Sequence, residues 1–123
     1  MGVVFCDVTG LKWVNDTKGH KAGDDLILRA CESLRRVFTG YEMFRIGGDE
    51  FLVLCPGIEE EELTERIEVL KRDIQENSVN MAAGAVWQKE GRKNIDKLLF
   101  ESEKLMYKDK SAYYKSAGID RRR

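Results

Sequence analysis

Two short apolar runs, Tyr41 to Ile46 and Phe51 to Leu54, are separated only by Gly47-Gly48-Asp49-Glu50. That spacing predicts an antiparallel hairpin, because glycines supply the turn and the flanking residues favour a pleated strand. A turn has no need of two adjacent acids, so Asp49 and Glu50 call for a separate reason.

The hairpin restricts what the rest of the chain can build. Gly2 to Val8 is apolar and β-branched and reads as a buried strand. Thr9 to Gly23 mixes Gly, Asn, Asp and Lys without a sustained period, which predicts a loop or a broken helical turn. Asp24 or Asp25 can cap a helix carrying Leu26, Ile27, Ala30, Leu34, Val37 and Phe38, which Gly40 ends. Leu63, Ile67, Leu70 and Ile74 mark a second helix, with Glu59 to Glu62 at its favourable N-terminal end. Val79 to Trp87 reads as a strand, and Asn94 to about Lys115 as a last helix.

This order predicts an α+β fold, an antiparallel sheet of split βαββαβ (ferredoxin-like) topology with helices on its faces. The expected strand order is 4-1-3-2. The first helix returns the chain so that strand two runs parallel to strand one, and strand three fills the gap between them. The end of strand one, with Asp7, then meets the Gly-Gly-Asp-Glu turn at one edge of the sheet.

Composition excludes several classes. The 123 residues suit one domain spanning 1–123, with a core that needs no staple. A net charge of −1 with 35% charged residues offers no nucleic-acid groove, and Arg121 to Arg123 read as a solvated run. Cys6, Cys31 and Cys55 are odd in number and set among apolar neighbours, as reduced core thiols are. No segment approaches a membrane span or a signal peptide, which predicts a cytoplasmic domain without membrane contact.

Three converging carboxylates repel unless protons or a cation offset their charge. Hard cations take oxygen ligands, and Mg²⁺ uses one or two carboxylates together with substrate phosphates. Glycines beside the acids leave room for a triphosphate. The expected chemistry is metal-assisted phosphoryl or nucleotidyl transfer; a solvated hairpin with incidental acids is the bland reading.

Gly47-Gly48-Asp49-Glu50-Phe51 is the signature of the GGDEF family, the diguanylate cyclases, and the block from Asp7 to Asp24 resembles that family's first strand, loop and helix start. The resemblance extends to about Lys115. It implies a fold related to nucleotidyl cyclases and polymerase palm domains. The implied reaction condenses two GTP into cyclic di-GMP with release of pyrophosphate, on Mg²⁺ or Mn²⁺, in a homodimer of a parent protein that carries further sensory domains. By resemblance Asp7, the Val8 carbonyl, Asp49 and Glu50 hold metal, with Asp49 or Glu50 assisting the attacking 3′-hydroxyl. Gly47 and Gly48 bound the substrate site. Lys12, Lys110 and the N–H groups of Gly10 and Leu11 meet the phosphates, and Asn15 and Asp24 read guanine. Taken alone, Asn15 suits a turn, Asp24 a helix cap and Lys110 a solvated helix face.

Elsewhere the residues read as packing or departures. His20 is expected to pack in a loop, Trp13 and Trp87 to pack, and Arg45 to pair with an acid. The chain opens directly on strand one, without the family's preceding helix and its Leu-Thr-Gly-Leu segment, which completes the guanine pocket. Thr9 stands where the family often has Asp or Asn, and Tyr114 where it has a phosphate-binding arginine. Phe38 and Tyr41 replace the Arg-x-x-Asp motif of product inhibition, so that inhibitory site is missing. Two functions remain open: a dimeric cyclase domain, or a GGDEF domain without turnover that binds GTP, dimerises or regulates. The resemblance favours the first for a parent protein and the second for this chain alone.

Overall fold

The computed structural model describes residues 1–89 and 94–117, except for the side chains of 113–117. Tyr114's side chain and the Arg121 to Arg123 run lie outside the described residues. In chain order the elements are β1 (Gly2–Val8), α1 (Leu11–Lys18), α2 (His20–Val37), β2 (Glu42–Arg45), β3 (Glu50–Cys55), α3 (Glu60–Glu76), β4 (Met81–Trp87) and α4 (Ile95–Ala117).

The four strands form one sheet in the order β2-β3-β1-β4, with every neighbouring pair antiparallel. This is the expected 4-1-3-2 order. β1 is central and buried along its whole length, which is why it reads as a continuous apolar run rather than an alternating one. Val4, Cys6 and Val8 face one layer and Phe5 the other, as the period of two requires.

The first layer is the main core. Leu26, Ile27, Ala30, Leu34 and Val37 of α2 recur at helical spacing and bury against Phe51, Val53 and Cys55 of β3, with Leu63 and Leu70 of α3. Each large aliphatic side chain so buried stabilises the fold by about 1.5–3 kcal/mol. α4 covers the opposite face, where Met106 packs with Phe5 and Ala82. Its backbone lies directly on Gly84: a Cβ there would stand 2.2 Å from the Ser102 carbonyl oxygen and 2.4 Å from the Met106 nitrogen. The cysteines are free, and burial pushes the Cys6 and Cys55 thiols up to about 12 and about 11, so they are inert core groups.

The segment Thr9 to Gly23 is more ordered than the loop or broken helical turn expected of it. Gly10, at φ 75, starts α1, and Gly19, at φ 90 and ψ 164, separates it from α2. α1 has no fully buried residue; only Leu11 and Val14 pack against the core, half-buried, and one such pair is too short a period to reveal a helix. α2 consequently begins at His20, and neither Asp24 nor Asp25 caps it; Asp25 instead pairs with Arg29 at 3.0 Å. His20 is exposed rather than packed. Trp13 is exposed too, with the Lys18 ammonium 5.9 Å from its ring centre. Trp87 does pack, and its indole N–H donates to the Ile58 carbonyl at 2.8 Å.

Candidate functional site

The register of β1 against β3 sets Asp7 directly opposite Glu50, and the Val8 N–H donates to the Asp49 carbonyl at 2.8 Å. The convergence expected from topology is therefore present. Asp7, Asp49 and Glu50 each offer a carboxylate oxygen, and these atoms lie within 4.8 Å of one another. Asp7 is 2% exposed, whereas Asp49 and Glu50 are half-buried.

Electrostatics at the cluster are unfavourable. Burial first, and then the Asp49 charge, push the Asp7 carboxyl from 3.8 up to about 6, against the pull of Lys110. Burial and the neighbouring Asp49 and Glu103 charges also raise Glu50. The Lys110 ammonium donates to Asp7 Oδ2 at 3.2 Å. Asp7 Oδ1 is buried and has no hydrogen-bond partner among the described residues. A buried carboxylate oxygen without a partner carries a desolvation cost on the order of 1–3 kcal/mol or more. A hard divalent cation seated among the three acids would meet that oxygen and offset the repulsion, so the donor set fits Mg²⁺ or Mn²⁺.

The hairpin is braced from below. The Ile46 N–H donates to the Glu50 carbonyl at 3.0 Å, and the Arg45 guanidinium donates to the carbonyls of Gly47 and Gly48. Arg45 thus holds the turn itself rather than pairing with an acid. Neither turn glycine is in the left-handed region. A Cβ at Gly48 would meet nothing within 4 Å, and one at Gly47 only ordinary contacts from 3.5 Å. Neither conformation nor packing requires glycine here. What the two glycines leave is open surface beside Asp49 and Glu50.

The other residues singled out by resemblance come from the segment after β1. Gly10 and Leu11 form the start of α1, where the helix dipole favours anions. Lys12 is exposed on its first turn and Asn15 is half-buried. Asp24 is exposed on α2 and lines a cleft of about 440 Å³ with Arg35, Met43, Arg45 and Phe51, which reaches the hairpin. Asn15 is not in that cleft's lining.

Two contacts escaped the sequence reading. Lys110 reaches Asp7 across 103 positions, and only the placement of α4 on the sheet reveals this pairing. Asp109 accepts the Ala83 N–H at 3.0 Å, satisfying a donor on the edge strand β4. Nothing local in the sequence signals either.

A four-stranded antiparallel sheet with helices on both faces and acids at its hairpin edge defines an α+β protein of the palm-like cyclase fold. The sequence profile of the family "Diguanylate cyclase, GGDEF domain" matches residues 1–115, and the chain belongs to that family. Diguanylate cyclase DosC of Escherichia coli is 28% identical over 85 residues, covering 68% of this chain and 18% of its own length. An uncharacterized Bacillus subtilis protein, YtrP, is 25% identical over 112 residues, covering 87% of this chain and 19% of its own. The chain spans about a fifth of the length of these curated relatives. Among solved structures, the active GGEEF domain of a Vibrio cholerae diguanylate cyclase superposes with a TM-score of 0.75 at 20% identity, covering 90% of this chain and 76% of that one. The GGDEF domain of TpbB from Pseudomonas aeruginosa superposes with a TM-score of 0.78 at 24% identity, covering 90% and 71%.

Proposed function

We propose that this chain is a diguanylate cyclase domain, which condenses two GTP molecules into cyclic di-GMP and releases two pyrophosphates. The observation that carries this reading is the meeting of Asp7, Asp49 and Glu50 within 4.8 Å around an unpartnered, buried Asp7 oxygen. Each nucleotide's 3′-hydroxyl attacks the α-phosphorus of the other. The bond to the β-phosphate oxygen breaks, pyrophosphate leaves with that electron pair, and the hydroxyl proton passes to a base. Two such attacks need two bound nucleotides face to face, hence a homodimer with one GTP per subunit.

Asp7, the Val8 carbonyl, Asp49 and Glu50 would hold Mg²⁺ or Mn²⁺, which when bound would neutralise charge on the attacking oxygen and the leaving group. The raised pKa of Glu50 brings it closer to the range useful to a base, and Asp49 stands beside it as the other candidate. Gly47 and Gly48 keep the surface beside the acids clear. The N–H groups of Gly10 and Leu11 at the start of α1, together with Lys12 and Lys110, are assigned to the phosphates. Asn15 and Asp24 are assigned to guanine: a carboxylate accepts from the ring N–H and amino group, and an amide both donates and accepts. The domain works in the cytoplasm, and further sensory domains of a longer protein supply its input.

Incubation of the chain with GTP and Mg²⁺, followed by chromatography for cyclic di-GMP, tests this reading. Product that appears with wild type and is absent from Glu50→Gln supports it. GTP binding without product would leave a GTP-binding or dimerisation module instead.

A further inference from the structure

Asn15, Gly19 and Gly23 are spaced by four residues each, and the structure folds this spacing onto itself. Gly19, at φ 90 and ψ 164, turns the chain between α1 and α2. Its N–H donates to the Asn15 carbonyl at 3.1 Å, and its own carbonyl accepts from the Gly23 N–H at 3.3 Å. Asn15 and Gly23 therefore lie opposite one another across the turn. A Cβ on Gly23 would fall 1.8 Å from Asn15 Oδ1, 2.8 Å from its Cγ and 3.2 Å from Leu11 Cδ1. Gly23 is buried, and the Asn15 amide occupies the space its side chain would take.

Glycine inside a helix costs about 1 kcal/mol relative to alanine. No left-handed φ requires it at this position. The close approach of Asn15 is what calls for glycine there. Leu11, the second residue it admits, opens α1 at the place assigned to phosphate.

We infer that Gly23 is a positioning residue for nucleotide selection: by lacking a Cβ it lets the Asn15 amide seat against α2, and this close packing fixes the amide assigned to the purine base. This rests on the assignment of Asn15 to guanine made above. Gly23 touches no substrate. It acts through Asn15, and any side chain there rotates the amide out of place.

The test uses binding of GTP and of its inosine analogue, which lacks the 2-amino group, to the chain with Mg²⁺. Wild type, Gly23→Ala, Asn15→Ala and the double variant are compared by calorimetry and thermal unfolding. Gly23→Ala is expected to weaken GTP binding about tenfold and to narrow its preference over the inosine analogue. Asn15→Ala should do the same. In the double variant the clash is gone, so Gly23→Ala should add no further loss, and its melting temperature should equal or exceed that of Asn15→Ala. If Asn15→Ala alters neither GTP binding nor base preference, the guanine assignment falls and this inference with it. If Asn15→Ala weakens binding but Gly23→Ala does not, or if Gly23→Ala costs a further tenfold in the Asn15→Ala background, Gly23 does not act through Asn15.

Discussion

Replacing Asp7 by asparagine should stabilise the metal-free chain at neutral pH. The carboxyl is moved from 3.8 to about 6 by burial and by Asp49. Each pK step corresponds to about 1.4 kcal/mol, so the ionised group costs the fold about 3 kcal/mol at pH 7 relative to an unperturbed acid. That figure already includes the attraction of Lys110, which lies 3.2 Å away. Asn keeps the shape and a polar oxygen for the ammonium but carries no charge to set against Asp49 and Glu50. A gain of about 1–3 kcal/mol is expected, or a rise in melting temperature of roughly 4–12 °C for a domain of this size. The pH dependence fixes the cause. For an acid whose folded pKa is raised, the penalty is fully present above about pH 6 and gone below 3.8. Wild type should thus gain stability from this group as pH falls through that window, and the Asn variant should not. Thermal unfolding by circular dichroism across pH 3.5–7.5 reads both curves. An Asp7→Asn variant no more stable than wild type at pH 7, or an advantage that persists undiminished at pH 3.5, would refute the reasoning.

Three further outcomes are expected. Lys110→Gln removes the ammonium paired with Asp7, so Asp7 should titrate still higher and the chain should lose on the order of 1–3 kcal/mol at pH 7, a loss that fades on acidification and is measured by urea unfolding. Gly84→Ala drives a Cβ into the α4 backbone, where neither the Ser102 carbonyl nor the Met106 amide can yield as a side chain can; a loss of about 1–3 kcal/mol is expected by the same assay. Cyclic di-GMP should not bind tightly at the segment before the hairpin: Phe38 is 2% exposed in the core and Tyr41 lies under the Arg66 guanidinium at 5.3 Å. Calorimetry showing micromolar binding abolished by changes at Tyr41 would contradict this.

The elements that bury an apolar stripe were legible from sequence, because period and burial are the same fact read twice. β1, α2, α3 and the hairpin stand where the apolar residues place them. α1 was not legible, since its only apolar pair, Leu11 and Val14, is too short a period to stand out and Gly10 and Gly19 look like loop residues until their φ values are known. Misreading it also misplaced Asp24, which sits inside α2 rather than at its cap. The meeting of Asp7 with Asp49 and Glu50 followed from topology, because placing strand three beside strand one brings the end of β1 to the hairpin turn, and burial of both strands then fixes the register. The reach of Lys110 to Asp7 did not, since it depends on how closely α4 settles on Gly84. Packing distances of that kind are set by whole layers.

The most direct measurement is titration of Mn²⁺ into the chain, followed by electron paramagnetic resonance, with and without a non-hydrolysable GTP analogue. If the three acids form a cation site completed by phosphate oxygens, Mn²⁺ should bind weakly alone and at least tenfold more tightly with the nucleotide. Asp7→Asn and Glu50→Gln should each abolish that gain while the fold stays intact by circular dichroism. Mn²⁺ affinity that is the same with and without nucleotide, or that survives both substitutions, would contradict the assignment and leave Asp49 and Glu50 as residues of a turn.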